Sequence, residues 1–297
     1  MRIGIDIGAS KIEAAALAAE GAIATRQRLP TPTTYRDTLG AIAALVERVE
    51  AASGAPANVG AASVGIGFPG RIDQATGRLR SSTPLDGQRF QADIEAALGR
   101  PVRIANDGAC FTLSEAVDGA AAGRRTVFGV ILGTGCGGGV AVDGRLLDGP
   151  NGVAGEWGHS PFPFASKAEF PPPRCWCGRL GCLETMLAGS ALARAADGPQ
   201  AHDASGLPAR AAAGDAKAKA ALDRHAERLA RALGWVVNLI DPDAIVLGGG
   251  LSNMDHLYAR LPILLAEHVF GRSSATPILK PMHGDSSGVR GAAWLWP

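Results

Sequence analysis

The chain has little of what would direct a protein to a membrane, an export route or a nucleic acid. Its 297 residues contain no uninterrupted apolar run of the ~18 residues that a membrane helix needs. The opening MRIGIDIGAS is strand-like from residue 3 and lacks the long apolar segment of a secretory signal. These absences predict a soluble, cytoplasmic protein. A formal net charge of +1 supplies no basic field for a phosphate backbone. Aromatics at 5% leave few platforms on which single-stranded bases could stack, so nucleic acid is disfavoured as a partner. Five cysteines are too few, and odd in number, for a disulfide scaffold.

What is present is a long, moderately apolar chain. Hydrophobic residues at 46% and charged residues at 19% mark it as globular, and its length suits two domains or one large α/β domain. RIGIDI (2–7) and KIEAAAL (11–17) read as a β-hairpin around a GAS turn, and a third strand follows Gly21. Apolar residues at Leu39, Ile42, Leu45, Val46 and Val49 give residues 36–53 a helical period. Strands are expected at 64–70, 102–107, 126–133, 138–144, 243–250 and 278–280. Helices are expected at 109–122, at 208–240 with a break near Gly214, at 252–270 around Pro262, and at 287–295. Residues 145–187 read as irregular. Mixed strands and helices, with a hairpin early in each half, predict an α/β chain of two similarly built lobes.

Five stretches carry candidate chemistry. In DIGASK, Asp6 at a strand end followed by glycine and a hydroxyl can serve Mg²⁺ and phosphate, or be an ordinary hairpin turn. GTGCGGG (133–139) has five glycines in seven residues, more than a two-residue hairpin turn needs, which favours phosphate contact. It follows a strand and precedes another, so it is neither a dinucleotide fingerprint nor a P-loop. Asn106-Asp107 joins a strand to a helix. Asp107 there is either a helix N-cap or a carboxylate placed to take a hydroxyl proton. LGGG (247–250) after a buried strand allows close approach to a ligand, or is a strand-to-helix turn capped by Ser252 or Asn253.

The fifth stretch is CWCGRLGC (175–182), three cysteines in eight residues, downstream of GEWGH (155–159). A Cys175–Cys177 disulfide would close a very short, strained ring, and neither spacing is the C-x-x-C of a redox pair. Cys175, Cys177 and Cys182 with the nearest upstream imidazole, His159, make a four-ligand zinc set, and a filled coordination shell makes the ion structural. Cys110 and Cys136 read as small buried hydrophobes, and the other five histidines as core or surface residues.

Together DIGASK, AND (105–107), ILGTGCGGGVAVDGRLLDGPNGVAGEWGH, CWCGRLGCLE and DPDAIVLGGG resemble, in order and from end to end, the ROK family of sugar kinases. The resemblance implies a two-lobed actin/hexokinase-like (ribonuclease H-like) ATPase fold with a zinc-binding knuckle over 159–182. It implies a small lobe of residues 1–117 plus 281–297 and a large lobe of 118–280, closing over the sugar. SEAVDGAAAG (114–123), GTGCG, GEWGH and the ending HGDSSGVRGAAWLWP resemble bacterial fructokinases of the manno(fructo)kinase type within that family. The implied reaction is ATP-dependent phosphorylation of the 6-hydroxyl of D-fructose, with N-acetylglucosamine, glucose or mannose as alternative sugars. Asp107 would be the general base. Asn106, Glu156, His159 and Glu184 would grip the sugar, His159 offering one ring nitrogen to zinc and the other to the sugar. Asp6 would lie near Mg²⁺ and the phosphates. Gly8, Ser10 and Lys11, with Gly133, Thr134 and Gly135, match the phosphate turns, and Gly248 and Gly249 the adenosine loop. A homodimer is the implied assembly.

Two departures stand out. The family's usual D-x-G-G-T is D-x-G-A-S here, and Ser81 or Ser82 stands in the RSSTPLDG loop where relatives carry Asn. A sugar-sensing ROK repressor would share the scaffold but carry an N-terminal helix-turn-helix, which a hairpin starting at residue 3 disfavours.

Overall fold

The computed structural model describes residues 1–8, 10–54, 62–81, 83 and 85–297; Ala9 and Ser82, two of the departures noted in the sequence, lie outside them. In chain order the elements are β1 (Arg2–Ile7), β2 (Lys11–Leu17), β3 (Ile23–Pro30), α1 (Tyr35–Ala52), β4 (Ser63–Phe68), β5 (Arg71–Asp73), β6 (Arg78–Arg80) and α2 (Phe90–Leu98). They continue with β7 (Val102–Asn106), α3 (Asp107–Val117), β8 (Thr126–Leu132), β9 (Cys136–Val142), β10 (Arg145–Leu146), α4 (Glu184–Leu187), α5 (Gly189–Asp197) and α6 (Leu207–Ala212). The last are α7 (Ala216–Ile240), β11 (Ala244–Gly248), α8 (Asp255–His268), β12 (Ile278–Leu279) and α9 (Ser287–Ala293). No helix among the described residues is long and apolar enough to cross a membrane.

The chain divides into two compact units: Met1–Ala122, Gly139–Ala154 and His283–Pro297 form the first, and Gly123–Gly138 and Gly155–Met282 the second. Residues 139–154 thus group with the first unit, whereas the sequence reading assigned everything from 118 to 280 to one lobe.

The first unit is built on a sheet of order β3-β2-β1-β4-β7. β1 and β2 pair antiparallel through the hairpin, and β1, β4 and β7 run parallel. One face is covered by the apolar stripe of α1 (Ile42, Leu45, Val46, Val49) and by Phe90 and Ile94 of α2, all fully buried. On β1, β2 and β4 sits α9, whose Val289 and Ala293 pack on Ala15 and Leu17. The approach is close: a Cβ on Gly65 would lie 1.8 Å from the Ala292 carbonyl oxygen, so only glycine lets the helix backbone rest on the strand.

Helix α3 ends at Val117, five residues before the expected Ala122. The turn beyond it is claimed by other partners. Gly119 packs against Glu115, and the Glu115 carboxylate accepts hydrogen bonds from the N–H groups of Ala120 and His283 and from the Ser287 hydroxyl at 2.9–3.2 Å. Asp118 Oδ2 accepts from the indole of Trp294 at 3.1 Å and from the Arg290 guanidinium, and Oδ1 lies 3.1 Å from His283 Nε2. SEAVDG and HGDSSGVRGAAW, two stretches behind the fructokinase resemblance, are therefore the two halves of one buried polar lock. It fastens α9 to α3.

The second unit holds β8, β11 and β12, neighbours in that order and all parallel, with the start of β9 beside β8. Helix α7 presents Ala218, Leu222, Leu229, Leu233 and Val236 to the core and packs along α8. The expected break near Gly214 is real: its φ of 94° ends α6, and Asp215 caps α7 by accepting from the N–H groups of Lys217 and Ala218.

Candidate functional site

On the first unit, Asp6 is the last residue but one of β1 and Asp107 directly follows the end of β7 at Asn106, which brings two carboxylates into each other's field. The N-cap of α3 is Asn106, not Asp107: its side-chain oxygen accepts the Gly108 N–H at 2.8 Å while its amide donates to the Gly70 carbonyl at 3.0 Å. Asp107 is the first residue of the helix and shares the Gly108 N–H at 2.9 Å. Because Asn106 caps the helix, Asp107 is left to other work. Burial raises the Asp107 pKa above the usual carboxylate range, against the lowering effect of its hydrogen bond to Gly108. Asp6 is pushed up to about 6, first by burial, then by the charges of Asp107 and Glu13, while Lys11 works in the opposite direction. The buried thiol of Cys110 lies under the same pair and is raised further by both carboxylates. A paired, desolvated carboxylate set is the donor chemistry that a hard divalent cation such as Mg²⁺ suits.

The hairpin turn after Asp6 is closed by its own backbone. Gly8 donates its N–H to the Lys11 carbonyl at 2.9 Å and its carbonyl accepts the Thr31 hydroxyl at 2.7 Å, whereas Ser10 is exposed. In the RSSTPLDG loop, the Ser81 hydroxyl donates to the Pro69 carbonyl at 2.6 Å and meets Thr83 Oγ1 at 2.8 Å. Ser81 is therefore spent on holding its own loop. Gly288, at the start of α9, was missed from sequence: a Cβ there would fall 2.9 Å from Asp6 Oδ2.

On the second unit, the expected glycine-rich phosphate loop is shorter than its sequence suggested. Only residues 133–135 form the turn, closed by the Gly133 N–H on the Gly135 carbonyl at 3.0 Å; Cys136 onward is strand. None of the run's five glycines has a positive φ. The excess glycines answer to packing: a Cβ on Gly138 would meet the Gly129 carbonyl at 2.8 Å, and one on Gly139 would meet the Thr112 hydroxyl at 2.6 Å. Thr134 is the exposed residue of the turn. At the end of β11, Gly249 (φ 74°) caps a 3-10 turn over Gly250–Asn253 and lies too close to Leu132 for any Cβ. The cap is thus the glycine and not Ser252 or Asn253; the Ser252 hydroxyl donates back to the Gly249 carbonyl at 2.7 Å.

The cysteine cluster gathers as its spacing suggested. The ligand atoms of His159, Cys175, Cys177 and Cys182 all lie within 4.8 Å of one another. Cys175 Sγ is 3.6 Å from His159 Nδ1 and Cys177 Sγ is 3.6 Å from Cys182 Sγ, near the ~3.8 Å edge of a tetrahedron with zinc–thiolate bonds of about 2.3 Å. All five cysteines are free thiols. The segments are also tied by backbone: Pro161 and Cys182 form a β-bridge, and Leu183 donates to the Ser160 carbonyl at 2.9 Å. Both carry carboxylates, Glu156 just before the 3-10 turn Trp157–His159 and Glu184 at the start of α4.

Glu184 is held at both oxygens. Oε2 accepts the Cys136 N–H at 3.1 Å, and Oε1 accepts the indole N–H of Trp176 at 2.7 Å. Trp176 was missed from sequence, although its position between two cysteines of the cluster could have flagged it.

Comparison with known proteins agrees along the whole chain. N-acetyl-D-glucosamine kinases of Salmonella typhimurium and Aliivibrio salmonicida are 36% and 38% identical over 304 residues, covering 99% of this chain and 99% of each relative. Among solved structures, the ROK hexokinase of Thermus thermophilus superposes with a TM-score of 0.87 at 31% identity, covering 99% of this chain and 97% of the other. The Streptomyces griseus ROK family glucokinase, solved with glucose and AMPPNP, gives 0.77 at 26% identity over 98% and 97%. The profile of the ROK family matches residues 2–297, and the chain belongs to that family.

Proposed function

We propose that this protein, a ROK family sugar kinase, transfers the γ-phosphoryl group of ATP to the 6-hydroxyl of N-acetyl-D-glucosamine. The observation that carries the choice of sugar is the end-to-end similarity, at 36–38% identity, to N-acetyl-D-glucosamine kinases. It displaces D-fructose, the sugar that the sequence resemblance had put first. The physical reason lies in the fold: SEAVDG and the C-terminal HGDSSGVRGAAW bind each other through Asp118, Glu115, His283 and Arg290. Their agreement with fructokinases therefore carries no information on the sugar.

In this reading Asp107 takes the proton of the attacking hydroxyl. Its raised pKa brings it nearer to neutrality, where a carboxylate is a better base. Asn106 fixes the start of α3, and so the backbone of Asp107, from its cap position. Asn106, Glu156, His159 and Glu184 hold sugar hydroxyls. Asp6 serves the magnesium ion, which supplies charge neutralisation of the phosphates, and Gly8, Ser10, Lys11, Gly133, Thr134 and Gly135 face the phosphates. Gly248 and Gly249 flank the adenosine. Because phosphoryl transfer depends on positioning and charge, these residues orient and neutralise rather than form covalent intermediates. His159, Cys175, Cys177 and Cys182 hold a structural zinc. The reading carries a cytoplasmic homodimer with it, which sedimentation and fractionation would check.

The test is an ADP-release assay across N-acetyl-D-glucosamine, D-glucose, D-mannose and D-fructose. Highest kcat/KM on N-acetyl-D-glucosamine is expected; highest kcat/KM on fructose would restore the fructokinase reading, and no turnover on any of the four would overturn the kinase reading itself.

A further inference from the structure

Trp176 stands between two metal-ligating cysteines, yet it does not bury itself among them. It is 70% exposed, and it is anchored at two points. Its indole N–H donates to Glu184 Oε1 at 2.7 Å. Its ring meets the His159 imidazole edge-on, with centroids 5.0 Å apart and planes at 83°. From these contacts we propose that Trp176 is a positioning residue of the sugar site, setting the orientation of Glu184 and His159 together. The proposal rests on the reading that those two residues hold the sugar.

A carboxylate oxygen has two lone pairs, and an indole nitrogen can only donate. With Oε1 taken by Trp176 and facing Cys175 Sγ at 3.8 Å, and one lone pair of Oε2 taken by the Cys136 N–H, Glu184 is fixed in its plane and keeps a lone pair on Oε2. Glu184 would otherwise be a flexible side chain that must be ordered when sugar binds. On His159, Nδ1 is the nitrogen that faces Cys175 Sγ at 3.6 Å, so the ring plane set by Trp176 also sets where Nε2 points. One exposed aromatic thereby joins the metal cluster to both sugar-holding groups. All of these residues belong to the second unit.

The experiment is Trp176→Phe in the full chain, which keeps a ring beside His159 and deletes the donor to Glu184. Kinetics are read on the sugar that the wild type prefers, and equilibrium sugar binding is measured by calorimetry. The sugar KM and Kd should rise about tenfold, with kcat within about threefold, the ATP KM within about twofold and zinc content unchanged. Trp176→Gln, which restores a donor without the ring, should recover part of the sugar affinity. An unchanged sugar KM overturns the proposal. So does a loss of zinc or failure to fold in Trp176→Phe, because Trp176 would then support the knuckle instead. The kinase reading is tested by wild-type turnover alone, so either result for Trp176 leaves it standing.

Discussion

Glu184 accepts a hydrogen bond from the backbone N–H of Cys136 at 3.1 Å, so the carboxylate beside the cysteine cluster is fastened to the residue that follows the GTG turn. Gly135 is the residue this contact leaves no room to enlarge. A Cβ there would lie 2.8 Å from Glu184 Oε2. Gly135→Ala should therefore push Glu184 aside with little cost to the fold, since no positive φ is involved at 135. A fall in kcat/KM of about tenfold or more, with a melting temperature within a few degrees of wild type, is the expected result in a steady-state and thermal-melt comparison.

Asp107→Asn keeps the shape of the first turn of α3 and removes the carboxylate proposed as the base. Turnover should fall by roughly 10²–10⁴-fold while sugar affinity, measured by calorimetry, stays within a few-fold. The acidic limb of the wild-type kcat/KM profile should also lie above the ordinary carboxylate range. Asp107 must be ionised to accept a proton, and burial raises its pKa, so activity is gained as pH rises through that raised value.

Asp6 makes a stability prediction of the opposite sense. Its folded pKa of about 6 exceeds the ordinary 3.8, so its contribution is fully present below the ordinary value and lost as pH rises through about 6. In protein without magnesium or nucleotide, Asp6→Asn should stabilise the fold at pH 8 by no more than about 3 kcal/mol in a denaturant titration and leave it unchanged near pH 3. Equal effects at both pH values would contradict the raised pKa of Asp6, which burial and then the charges of Asp107 and Glu13 produce.

Metal analysis should find about one zinc per chain, and Cys177→Ser should lower that content and the melting temperature together. The Pro161–Cys182 bridge survives in that variant, so the knuckle should loosen without the two segments separating. Hydrogen exchange confined to residues 159–184 is the observation that checks this.

Asp118→Ala leaves the guanidinium of Arg290, whose side chain is 11% exposed, without its carboxylate. The loss should be about 3 kcal/mol or more in a denaturant titration. The ranking of sugars should nevertheless stay as in wild type, since this lock fastens α9 to α3 and reads no ligand. A changed ranking would return SEAVDG and the C-terminal segment to the sugar site.

The sequence by itself determined most of the element order, because the signals concerned are local. Alternating apolar residues in RIGIDI, the apolar run of KIEAAAL, the helical stripe of α1 and the Gly214–Asp215 break between α6 and α7 each fix backbone geometry within a few residues. It also marked His159, Cys175, Cys177 and Cys182 as one cluster, and their ligand atoms do lie within 4.8 Å of one another. The α2 segment, with only Phe90 and Ile94 buried, and the three-residue strands β5 and β6 are too short for a periodic signal and went unread.

Only the tertiary structure decided which neighbours a residue meets. Gly138 and Gly139 read as phosphate donors until a strand carbonyl and the Thr112 hydroxyl were found against them. Asp107 could be the cap of α3 until Asn106 was found in that place. Asp118 and Arg290 are 172 positions apart in sequence, and their ion pair turns an apparent marker of the sugar into a structural fastening. Local pattern specifies backbone conformation. Partners brought from far along the chain specify what each side chain is free to do.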